Sequence, residues 1–187
     1  MQLKHSRVLL LLPLLGMGKC ERDPAPVFTL PPVTQTGANT IGFVVDGRVW
    51  QNYGKAPYTA NLSDNLKADY ATQFKKLYVD ASQTALNVRE IFGFELDSLA
   101  GVGVYQTTNK PVPNSIPRAV RALGFGDELT NIYYSSLLKG AKATITITKL
   151  DTIQRIIAGT FEGTLRQKDD STKLVHVTDG RFDVHYR

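Results

Sequence analysis

The chain has 187 residues, a hydrophobic fraction of 42% and a formal net charge of +5, enough for one domain with a sizeable core. Its basic residues are scattered rather than gathered into a patch or stripe, so the charge gives no support to nucleic-acid binding. With a single cysteine and three histidines, neither a disulfide framework nor a thiolate zinc site has the residues to form.

Residues 1–19 read as an export signal. Lys4, His5 and Arg7 make a basic start, residues 8–15 are apolar, and Gly16-Met17-Gly18-Lys19 leads into Cys20. That order is the layout of a secretory leader ending in a lipid-accepting cysteine. The apolar run is far shorter than the ~20 residues of a spanning helix, and Pro13 interrupts it. The start resembles that of bacterial lipoproteins, in which the cysteine becomes the first mature residue and carries acyl chains on sulfur and amine. Gly18 suits the small-residue requirement of such a site, while Lys19 stands where a small residue is usual. The resemblance implies that Cys20 is the lipid attachment point and the membrane a partner through that anchor. Export to an outer membrane follows, on its periplasmic or its cell-surface face. Loss of the leader would take Lys4, Arg7 and Lys19 with it, three of the five excess positive charges.

Residues 20–40 are expected to be a tether. Pro24, Pro26, Pro31 and Pro32 suppress helix and ladder formation and favour an extended spacer. The stretch 34–40, with Gly37 and Asn39, is turn-rich, so a single all-β domain is expected over 41–187.

From there the pattern is alternation. Ile41, Phe43 and Val45 share a face, Asp46-Gly47 turns the chain, and residues 48–51 return, a strong hairpin signature. Residues 62–74 leave room for a short helix. Residues 76–81 and 91–96 read as strands, the second with Phe92, Phe94 and Leu96 on one side and Gly93 and Glu95 on the other. Residues 102–107 are another strand, 118–123 a short helix or a strand, and 129–138 a strand in which Tyr133 and Tyr134 must point opposite ways. The clearest strand is 143–148, with Ala143, Ile145 and Ile147 inward. Its neighbour is expected over 153–166, with Ile153, Ile157, Phe161 and Leu165 in phase. Lys168 to Ser171 make a polar turn. The last strand, 174–186, carries Phe182, Val184 and Tyr186 on one side and a bulge or bend at Asp179-Gly180.

Roughly 8–10 short strands with little helix imply an antiparallel all-β fold, a β-sandwich first and a lipocalin-like β-barrel as the alternative, since both bury alternate residues. Two motifs carry a further resemblance: Leu30-Pro31-Pro32-Val33-Thr34-Gln35-Thr36-Gly37-Ala38-Asn39-Thr40 running into Val45-Asp46-Gly47-Arg48-Val49-Trp50, and Gly159-Thr160-Phe161-Glu162-Gly163 with Val177-Thr178-Asp179-Gly180-Arg181-Phe182-Asp183-Val184. They look like the two ends of an uncharacterised lipoprotein family of Bacteroidetes, a domain of unknown function. Phe43 stands where such sequences often carry cysteine. The resemblance implies an envelope protein and no particular reaction.

Candidate chemistry is sparse. His176 and His185, an odd nine residues apart, fall on opposite faces of an unbroken strand, and no serine-elbow, zinc-helix or phosphate-loop motif occurs. Glu95 and Asp97 share a face that is expected to be solvated rather than a catalytic pair. Asp97-Ser98, Asp151-Thr152 and Asp170-Ser171 resemble short O-glycosylation acceptors of Bacteroidetes. Trp50, Tyr53 and Tyr58 form a candidate ligand platform, because rings beside polar groups stack on sugars or fill a partner's pocket. A lone strand tryptophan equally suits a core. No catalytic residue, metal or cofactor is expected. The expected function is a lipid-anchored, non-catalytic binding or structural module with an envelope glycan or protein as partner. A carrier of small hydrophobic ligands with an internal cavity is the alternative, and an envelope glycan-processing enzyme the third reading.

Overall fold

The computed structural model describes residues 26–54, 65–85, 87–107 and 119–187, and none of these is helical. Eleven strands follow one another: β1 (Thr40–Val45), β2 (Arg48–Gln51), β3 (Leu66–Ala71), β4 (Lys76–Ala85), β5 (Val88–Asp97), β6 (Gly103–Thr107), β7 (Ala119–Asp127), β8 (Ile132–Ser135), β9 (Lys142–Asp151), β10 (Ile156–Gln167) and β11 (Leu174–His185). They form one sheet in the order β2, β1, β11, β10, β9, β6, β7, β5, β4, β3, with β8 pairing β7 and β10. Pairing among the named strands is antiparallel apart from the short β6 and β7 contact, and the isolated Tyr53–Gln83 bridge is parallel as well. The fold is therefore all-β and antiparallel, as the alternation implies.

The single sheet curls so that its ends meet. Tyr53, just past β2, exchanges backbone bonds with Ser82 and Thr84 of β4, and Arg187, just past β11, does the same with Ala68 and Tyr70 of β3. Barrel-like connectivity thus coexists with two walls facing each other across one core. Aromatic rings fill that core. Phe43 of β1 lies 4.8 Å from Trp50, 4.6 Å from Phe92 of β5 and 5.7 Å from Phe161 of β10, and Phe94 meets Phe182 of β11 at 5.1 Å. Strands far apart in the sheet order touch through these rings.

Local chemistry sets the corners. At the β1 to β2 turn, Asp46 (φ 45°) and Gly47 (φ 83°) both adopt positive φ, the mirror-image turn that matches strand twist and leaves Val45 opposite Arg48. In β11 the expected bulge is present: Asp179 has φ 52°, and the pairing with both neighbours slips there. One extra residue switches the inward set from Val175 and Val177 to Phe182, Val184 and Tyr186, all buried.

Three expectations are corrected. Residues 66–71, within the stretch that left room for a helix, are strand β3. Ile153 is 93% exposed rather than in phase with Ile157, because Asp151 Oδ1 accepts the Ile153 and Gln154 amides and delays β10 to Ile156. The segment before β1 is not a free spacer along its whole length, since residues 34–38 are held against β11 by Asp183. The stretch from residue 119 is strand β7.

Candidate functional site

The two motifs that carry the family resemblance form one contact in space. Asp183, on the outward side of β11 yet only 1% exposed, accepts hydrogen bonds from Thr34 Oγ1 (2.7 Å) and from the amides of Thr36 (2.9 Å), Gly37 (2.8 Å) and Ala38 (3.2 Å). The amide of His185 donates to Asn39 Oδ1 at 2.9 Å and extends the same clamp. Burial by itself would raise the Asp183 carboxyl, but the Thr34 hydroxyl and the three amides outweigh it and hold the group below the usual 3.8. Both carboxylate oxygens already have donors. This is a latch for the N-terminal segment.

The aromatic platform does not assemble as expected. Trp50 is fully buried and stacked on Phe43, its partner in the β1 and β2 register, so it shows no face to a ligand. Tyr53 is 41% exposed, with Phe28 edge-on at 5.4 Å. Tyr58 and Cys20 lie outside the described residues. His176 and His185 both face outward, because the bulge between them reverses the parity of β11. Glu95 and Asp97 share a face as expected, with Lys76 Nζ 3.9 Å from the first and 3.2 Å from the second. Among the described residues, no three metal-ligating side chains are grouped.

A groove of about 600 Å³ lies instead on the outer face of β3, β4, β5 and β7. Cross-strand register builds it. Lys67, Asp80, Gly93, Gly124 and Ser135 stand opposite one another in a row across five strands, and a parallel row runs through Ser82, Ile91, Gly126 and Tyr133. The glycines leave floor space that neighbours use differently. The Asp80 carboxylate leans over Gly93, where a methyl would stand 2.8 Å from Oδ1, and the Tyr133 ring lies over Gly126. Gly124, between them, is bare: a methyl there would have the Tyr134 carbonyl oxygen as its nearest atom at 3.6 Å. Tyr78 and Ile91 wall the sides.

Among the polar groups of this groove, Asn65, Lys67 and Glu95 have partners, whereas Ser82 and Glu128 each keep a buried oxygen without one. Asp80 is solvent-accessible at the mouth and receives no hydrogen bond or ion pair from any described residue. Burial among the strands pushes its carboxyl above the usual 3.8, with Lys67 pulling the other way. Lys67 is itself held by Asp69 at 2.8 Å. Ser82 is only 6% exposed, and its Oγ, like Glu128 Oε2, is buried without a hydrogen-bond partner. An unmet buried polar atom costs about 1–3 kcal/mol, and a bound donor would recover part of it.

No family model matches the chain, and no curated protein or solved structure matches it either. The groove is accordingly read from its own residues. Its signal in the sequence was faint: Gly93 and Glu95 are outward by alternation, but nothing along the chain says that Gly124 will be Gly93's neighbour. The Asp80 position looks like any solvated strand residue until β5 is laid beside it.

Proposed function

We propose that this chain is an exported, non-catalytic binding module of the cell envelope, carried at the outer membrane by a lipid on Cys20, with the outer-face groove as its binding surface. The supporting observation is the contrast between an interior filled by phenylalanine rings and an exterior groove with unpartnered polar atoms beside tyrosines. It favours a surface binder over an internal-cavity carrier.

Two measurements test this reading. Gly124 takes a side chain without backbone clash, so Gly124→Leu fills the groove floor while leaving the unfolding midpoint close to wild type. In a screen of envelope glycans and envelope proteins against the full chain, the leading ligand is expected to bind the leucine variant about tenfold or more weaker. Equal binding by both forms, or a wholly negative screen, removes the groove from the proposal. For the anchor, a clickable fatty acid supplied to the native host should mark the wild-type chain and leave Cys20→Ser blank. Equal labelling of the two refutes attachment at that sulfur.

A further inference from the structure

We propose that the groove selects an organic cation, a protonated amine carried on an apolar or ring-shaped body, an inference that rests on the groove being the binding surface. The argument is one of complementarity. Asp80 presents a carboxylate with no donor from the described residues, and Glu128 presents a second oxygen, buried and unpartnered, along the same groove. The opposing cation in the lining, Lys67, is engaged by Asp69 at 2.8 Å. Carboxylates at the mouth and along the groove are complementary to a cation rather than to phosphate, sulfate or carboxylate ligands.

Ser82 supplies an independent observation. Its hydroxyl is at least nine-tenths buried, faces the groove in the row with Ile91 and Gly126, and has no partner. A hydroxyl with free lone pairs on the same face as Asp80, two residues along β4, suits a group with several N–H donors. Tyr78 and Tyr133 add aromatic faces at the walls, and a cation over such a face gains further attraction when partly desolvated. The bare floor at Gly124 leaves room for the ligand's apolar body to lie flat on the sheet.

The test compares phenethylammonium with 2-phenylethanol, which keeps the ring and replaces the charged group by a neutral hydroxyl. Titration calorimetry on the full chain is expected to show phenethylammonium binding about tenfold or more tightly. Asp80→Asn should reduce the cation's affinity to that of the alcohol while leaving the alcohol's own affinity within about twofold. Glu128→Gln provides a second variant with the same expected direction. Equal affinity of the two probes for wild type, or an Asp80→Asn variant that keeps the preference, overturns cation selection and leaves the groove standing as a neutral-ligand site. Absence of binding by the cation up to about 10 mM also overturns it. The Gly124→Leu screen separately reports whether the groove binds anything.

Discussion

Asp183→Asn is expected to lower the free energy of unfolding by about 3 kcal/mol, the scale set by hydrogen bonds to a buried charge and by amides left facing a donor. The carboxylate gathers the Thr34 hydroxyl and the amides of Thr36, Gly37 and Ala38 at 2.7–3.2 Å. An asparagine offers one acceptor oxygen and turns an NH₂ toward donors that then have no acceptor. The loss should read as a lower urea midpoint with an unchanged slope. It should also depend on pH in a defined direction. Because the folded-state pKa lies below the unfolded value, the latch contributes fully above about pH 4 and its contribution is lost as pH falls through the folded-state value. Wild type and variant should therefore converge in strong acid. Coincident midpoints at pH 7 would mean that the N-terminal segment is held by something other than this carboxylate.

Phe92→Ala should cost still more, about 3–5 kcal/mol. The ring sits 4.6 Å from Phe43, 4.9 Å from Phe161 and 6.0 Å from Trp50, so it contacts both walls of the curled sheet. Its removal leaves a cavity bounded by rings on strands distant in the sheet order, and stiff aromatic neighbours collapse poorly into such a space. The chain's only tryptophan, Trp50, belongs to this cluster, which makes its fluorescence a direct reporter of the unfolding transition. A loss below about 1 kcal/mol would show that the core repacks and that the ring cluster is not the centre of stability.

The positions that failed in the sequence reading share a cause. Ile153 fits the phase of Ile157 and Phe161 but lies in a turn, because the Asp151 carboxylate captures two amides and competes with the ladder for them. Residues 66–71 lack strong alternation, and β3 exists through its pairing with β4 and its backbone bonds to Arg187, a partner more than a hundred residues away. Trp50 carries the same signal whether it faces a ligand or a core, and its place opposite Phe43 decides for the core. The groove was hidden for a similar reason. Gly93, Gly124 and the Asp80–Ser82 pair lie on three separate stretches, none of them unusual alone.

The alternation in β1, β5, β9 and β10, the Asp46-Gly47 turn and the Asp179-Gly180 bulge were present in the sequence by itself, because face and turn are properties of neighbours along the chain. Only the tertiary structure decided which strand lies beside which, and with it the bare floor at Gly124 and the Asp183 latch. Period-two patterning says which side of a sheet a residue occupies; its cross-strand neighbour depends on strand order and register, which are selected by how well the whole set of rings packs into one core.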